Sequence, residues 1–131
     1  MIALDTNVLV RLLTRDDHRQ AEKVRVLFES HADKDDEFFV SDIVLAELAR
    51  TLERAYDFDR AAIGRTFKAL VENATLGFES RNVLRLAQMI FDSSKAGFAD
   101  CLIVAKAQAH GCTSLVTFDK ALRPLPNVEL L

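Results

Sequence analysis

The 131-residue chain predicts a three-layer α/β/α domain around a central, mostly parallel sheet of four to five strands. Short apolar runs alternate with longer segments whose apolar residues recur at helical spacing, the pattern of strands covered by helices. The first run, Ile2-Ala3-Leu4, is apolar without interruption, as in a central strand buried on both faces. It stops at Asp5-Thr6-Asn7, three small polar residues suited to turns and helix caps, before Val8-Leu9-Val10 resumes the apolar pattern.

In chain order, Val8 to about Thr14 reads as a short helix carrying Arg11. Asp16-Asp17 starts a longer one through about Ser30, with Ala21, Val24, Leu27 and Phe28 on one face. His31 to Glu37 is a polar, acidic loop. Phe38-Phe39-Val40 is the second strand, and Ser41 caps a helix from Asp42 to about Ala55 with Val44, Leu45, Leu48 and Leu52 inward. Asp59 caps the next, to about Asn73, with Ile63, Phe67, Leu70 and Val71 inward. Thr75 to Phe78 is a weak third strand, and Ser80 opens a helix bearing Val83, Leu86, Ala87, Ile90 and Phe91. Ser93 to Gly97 breaks it; Phe98 or Ala99 starts another, which Gly111 ends. Leu115 to Phe118 is the fourth strand, Asp119 to Leu122 a short helical turn, and Val128 to Leu131 an edge strand. One domain, residues 1–131, accounts for everything, with no repeats and no low-complexity segment.

Half the residues are apolar and 28% are charged, a globular profile. No apolar run approaches the roughly 18 residues of a membrane helix, and the chain begins inside its first strand, which leaves no room for a signal peptide. A cytoplasmic location is expected. Cys101 and Cys112 suit small core positions rather than a disulfide framework or zinc site. A formal net charge of −3 counts against extensive phosphate contact, but not against a metal-dependent nuclease, whose carboxylates carry charge that a cation offsets.

Asp5 stands at the strand end where ligands and chemistry gather in open α/β sheets, or else it only caps the following helix. Further carboxylates weigh toward chemistry. Glu47 lies in Ser41-Asp-Ile-Val-Leu-Ala-Glu-Leu48, Asp100 in Gly97-Phe-Ala-Asp-Cys-Leu-Ile-Val-Ala105, and Asp119 in Leu115-Val-Thr-Phe-Asp119. With Asp5-Thr6-Asn7, this ordered set resembles the PIN domain, and specifically the VapC toxin ribonucleases, over nearly the whole chain. Each fragment is weak alone. The set, in so short a chain, is specific.

Asp5 and Asp119 each end a strand and are expected at one edge of the sheet. Glu47 and Asp100 lie near the starts of helices that follow loops there, Asp100 in a first turn where the helix dipole favours an anion. Hard oxygen ligands without His or Cys favour Mg2+ or Mn2+ over zinc. The resemblance implies a metal-dependent endoribonuclease, the toxin of a VapBC-type pair. Asp5, Glu47 and Asp100 match the family's core acidic triad and Asp119 its more variable fourth position, all both catalytic and metal-binding. Thr6, Asn7 and Thr117 are either turn and cap residues or groups orienting carboxylates and water. Arg50 and Arg54, close to Glu47's side of its helix, suit either surface ion pairs or substrate phosphates.

The partners implied are RNA, a small antitoxin whose basic tail inserts an arginine among the carboxylates, and a second copy of the chain, with a toxin–antitoxin hetero-oligomer as the larger assembly. The homodimer is expected through Asp59–Asn73 and Ser80–Asp92, which carry more apolar bulk than a small core absorbs. One alternative is a PIN-like module that binds RNA or protein without cleaving; its sign would be a lost acidic ligand, and all four are present. A haloacid-dehalogenase-like phosphatase needs a second Asp where Asn7 stands, and a receiver domain needs an early acidic pair that Asp5 lacks.

Overall fold

In the computed structural model, which describes residues 1–131, the N-terminal apolar run forms the edge of a parallel sheet. β1 (Ile2–Ala3) pairs with β2 (Phe38–Val40), and β2 with β3 (Leu76–Phe78), in the register Ile2–Phe38–Leu76. The helices are α1 (Thr6–Leu13), α2 (His18–Ser30), α3 (Asp42–Ala55), α4 (Arg60–Glu72), α5 (Arg81–Asp92) and α6 (Phe98–Ala109). β4 (Leu115–Thr117), a 3₁₀ turn at Lys120–Leu122 and β5 (Val128–Leu130) complete the chain. No helix is long and apolar enough to cross a membrane.

The helix starts follow from side chains that satisfy first-turn amides otherwise left without partners. Asp17, Ser41, Asp59 and Ser80 accept from Gln20, Val44, Ala62 and Val83. Gly111, at φ 87°, takes the left-handed conformation just past α6 that a glycine adopts without a Cβ clash. α1 begins at Thr6, two residues before the apolar pattern, because Asp5 is itself the cap.

The α/β architecture expected from the sequence is present, and every strand pairing is parallel. The sheet is divided, however. β4 pairs with β5 in a separate two-stranded sheet, Leu115 opposite Val128. β1 is correspondingly an edge and not a central strand: Ile2 and Ala3 are exposed, and only Leu4 of the run is buried. Three apolar residues are too few to distinguish the two settings.

The core lies among β2, β3 and the helices. Leu45, Leu48 and Leu52 of α3 are fully buried, and α6 packs against α5 and α3. The Phe67 and Phe98 rings stack at 3.9 Å, with Phe91 edge-on to Phe98 at 5.7 Å. The apolar residues of α4 and α5 are absorbed within one chain; Met89 is the large exposed exception on these two helices. The apolar surplus expected at a dimer face comes down to Met89 with the half-buried Val83 and Leu86. Cys101 is buried as expected, and its thiol pKa is pushed up by that burial. Cys112 is exposed, in the loop beyond α6 where no core position exists for it.

Candidate active site

Two of the predicted carboxylates share a cleft. Asp5, Thr6 and Asn7, at the β1–α1 junction, line it together with Glu47 and Thr51 of α3, and it encloses about 330 Å3. The junction is held from below by Leu9 and Val10, which are buried, and α1 packs against both α2 and α3. Packing thus fixes where Asp5 stands relative to Glu47.

Asp5 Oδ1 accepts the Thr6 amide at 2.7 Å, while Oδ2 is left without a partner in the chain. The capping reading of Asp5 is therefore true of one oxygen and leaves the other free. Glu47 is exposed and makes no hydrogen bond or ion pair. Thr6 is 5% exposed, and its Oγ1 is buried without a hydrogen-bond partner, a costly state for a hydroxyl. Asn7 is exposed on the cleft wall.

Asp100 is half-buried in the first turn of α6, a helix whose start has no side-chain cap. Its Oδ2 lies 3.7 Å from where a Cβ on Gly97 would sit, an ordinary van der Waals contact. Asp119 is exposed: its Oδ1 accepts from the Ala121 amide at 2.9 Å and its own amide donates to Thr117 Oγ1 at 3.0 Å. Thr117 thereby braces the turn that carries Asp119. Neither Asp100 nor Asp119 lines the Asp5–Glu47 cleft, and no three His, Cys, Asp or Glu side chains stand close enough to hold an ion among themselves. β1, which leads into Asp5, and β4, which leads into Asp119, belong to different sheets.

The donor chemistry nevertheless fits Mg2+, which keeps several waters and usually takes only one or two carboxylates beside substrate phosphates. Asp5 Oδ2 and the Glu47 carboxylate are hard oxygens on one cleft, and the buried Thr6 hydroxyl lies in the junction behind it.

Glu47 also lines a larger groove of about 650 Å3 along α3, with Ile43, Arg50 and Arg54. Ile43 is 78% exposed. Neither arginine pairs with a carboxylate, so the surface ion pairs considered for them are not formed.

Sequence reasoning missed two polar clusters. At the start of α3, Asp42 accepts from the Lys106 ammonium, a bond that raises the lysine's pKa, and its amide donates to Glu79 Oε2 at 2.6 Å. On the cleft wall, Arg11 donates to Tyr56 Oη at 3.1 Å, across 45 residues of sequence. Neither partnership leaves a local signal: Tyr56 and Glu79 lie in connectors, far in sequence from the helices that carry Arg11, Asp42 and Lys106.

The sequence profile of the PIN domain matches residues 2–127. A VapC ribonuclease from Aquifex aeolicus (strain VF5) is 27% identical over 125 residues, which span 95% of this chain and 92% of that protein. Among solved structures, a toxin–antitoxin complex from Klebsiella pneumoniae is similar at 20% identity, covering 98% of this chain and 96% of that one. FitAcB from Neisseria gonorrhoeae is likewise 20% identical, over 100% and 96%. Both superpose with a TM-score of 0.37, too loosely to add to what the sequence match establishes.

Proposed function

The chain belongs to the PIN-domain family, and from that premise we propose that it is a Mg2+- or Mn2+-dependent endoribonuclease, the toxin of a VapBC-type pair acting in the cytoplasm. The observation that carries the reading is the pairing of Asp5 and Glu47 on one cleft, each with carboxylate oxygen unspent on the fold. Similarity to a VapC ribonuclease over nearly the full length of both chains supports the same reading.

Asp5 and Glu47 would hold the ion, with Asp100 and Asp119 as the further carboxylates of the set. When bound, the ion supplies Lewis-acid stabilisation of the charge developing on a scissile phosphate and lowers the pKa of attacking water. The chain's own part is placement. The α1 cap, through the Thr6 amide, orients Asp5, the buried Leu9 and Val10 hold that junction in place, and α3 carries Glu47 to the opposite element of the cleft. Asn7 and Thr117 would orient water and the Asp119 turn. Arg50 and Arg54, free of carboxylate partners, would meet RNA phosphates along the α3 groove.

A silencing partner fits the same surface. A basic antitoxin tail lying along α3 could bury apolar side chains near Ile43 and place an arginine against Asp5 and Glu47 in competition with the cation. Arg50 and Arg54 would repel further basic residues, which confines the inserted arginine to the carboxylate end. Homodimerisation rests on the family resemblance alone.

A catalytically silent binding module remains the rival, favoured by the lack of any three gathered carboxylates. Incubation with total bacterial RNA decides between them. Purified protein is expected to cleave RNA with Mg2+ or Mn2+, to stop when chelator is added, and to lose orders of magnitude of rate in Asp5→Asn and Asp100→Asn with the fold intact. Binding of RNA without cleavage under any divalent cation would establish the module instead.

A further inference from the structure

We propose that Arg11 is a substrate-binding residue of this cleft, its guanidinium taking a phosphate of the RNA strand that lies across Asp5 and Glu47; this rests on the ribonuclease reading above. Arg11 is the one arginine on the cleft wall. A guanidinium carries five N–H donors, and the chain engages three of them. Nε donates to Gln20 Oε1 at 2.6 Å, and Nη1 donates to Asp16 Oδ1 at 3.2 Å and Tyr56 Oη at 3.1 Å. The Nη2 amino group has no partner in the chain. Tyr56 in turn donates to Asp16 Oδ2 at 2.8 Å, and Thr14 Oγ1 to Asp16 Oδ1 at 3.0 Å.

This anchorage has two consequences. A fixed side chain loses little rotamer freedom when it binds, so a phosphate contact is made at low entropic cost. The tether also keeps the guanidinium from collapsing onto Asp5 or Glu47, where it would compete with a cation for their oxygens. Asp16 holds the arginine so that the catalytic carboxylates do not have to.

Three other arginines are anchored and are spent differently: Arg25 pairs with Glu22 and Glu29 on the outer face of α2. Arg60 donates to the Ala96 and Phe91 carbonyls and lies over the Phe91 ring. Arg81 donates to the carbonyls of Val71, Asn73 and Leu76. Both bind backbone carbonyls, Arg81 with Asp36 besides, and neither lines the cleft or the α3 groove. A purely structural clasp at Arg11 would explain Nε and Nη1 but not an unpartnered amino group on a residue that lines the cleft with Asp5 and Glu47.

The test is binding of a fluorescein-labelled single-stranded RNA of mixed sequence, in Ca2+, across a KCl series, with the melting temperature of each variant recorded. Arg11→Gln is expected to weaken binding about tenfold, as for one lost charge-assisted bond. It should also flatten the plot of log K against log salt by about 0.7, the share of one single-strand phosphate. A merely structural role would not move that slope. Tyr56→Phe removes a tether but no charge, so affinity should fall by a smaller factor at wild-type slope. Arg11→Lys keeps charge but loses the fork, so it too should keep the slope and bind several-fold more weakly. A folded Arg11→Gln protein with wild-type slope overturns the proposal; should Arg11→Gln not fold, wild-type affinity in Arg11→Lys overturns it. Wild-type protein that neither binds nor cleaves RNA would remove the ribonuclease reading itself, a result distinct from failure at Arg11 alone.

Discussion

Asp5 and Asp119 are locally alike and tertiarily unlike. Each follows a short parallel strand, and each caps the next turn with Oδ1, Asp5 on the Thr6 amide and Asp119 on that of Ala121. Behind Asp5 stand an eight-residue helix and the fully buried Leu9. Behind Asp119 stand three residues of 3₁₀ turn with a single buried anchor, Leu122, and with Phe118 78% exposed and Val116 54% exposed beside it. Capping is satisfied by neighbours in sequence, whereas position within a site is set by what packs beneath. Of the two, Asp5 is the one held rigidly opposite a second carboxylate.

The comparison breaks most readily at the two aspartates themselves. Asp5→Asn should lower the RNA cleavage rate by about 100-fold or more, the scale of losing one group that stabilises transition-state charge, while Asp119→Asn should lower it by about tenfold or less; equal losses in a steady-state assay would dissolve the distinction. The packing beneath them comes next. Leu9→Ala is expected to cost about 2–5 kcal/mol as a buried leucine truncation, and Val116→Ala to stay within about 0.5 kcal/mol, both from denaturant midpoints.

The helix that brings Glu47 is tied at its start by Asp42 and Lys106. Lys106→Met should cost about 1 kcal/mol, because the 11%-exposed Asp42 side chain loses its partner while the half-exposed lysine is screened by water. The Lys106 pKa is raised in the fold by its hydrogen bond to Asp42. Its contribution is therefore complete below the ordinary lysine range and lost as pH rises through the raised value, and alkaline melting curves of wild type and Lys106→Met should converge. The smallest effect concerns Asp16, whose pKa is lowered chiefly by the Tyr56 hydroxyl. That contribution is present above the ordinary carboxylate range and fades as pH falls through the lowered value. Tyr56→Phe should thus sit slightly below wild type in melting temperature at neutral pH and meet it in acid.

Much of this fold was legible because it is locally encoded. Ser41, Asp59 and Ser80 announced helix starts, and Ile63, Phe67, Leu70 and Val71 announced the buried face of α4. What escaped depends on distant partners. Whether Ile2-Ala3-Leu4 lies centrally or at an edge depends on where β4 pairs, and nothing in either segment states it. Cys112 has the composition of a core residue and the position of a loop residue. The candidate site divides the same way. Asp5 and Glu47 were identifiable from motif fragments, but the Arg11–Tyr56 contact joins residues with no shared pattern.

The most direct measurement is the Mg2+ dependence of RNA cleavage by wild type and Glu47→Gln, run side by side with their melting curves. Glu47 is exposed and makes no hydrogen bond, so the substitution should leave the melting temperature unchanged. If the Asp5–Glu47 cleft is the catalytic centre, wild-type cleavage will require Mg2+, stop in chelator and fall by orders of magnitude in Glu47→Gln. Cleavage that persists in chelator, or a folded Glu47→Gln protein cutting at the wild-type rate, would contradict it.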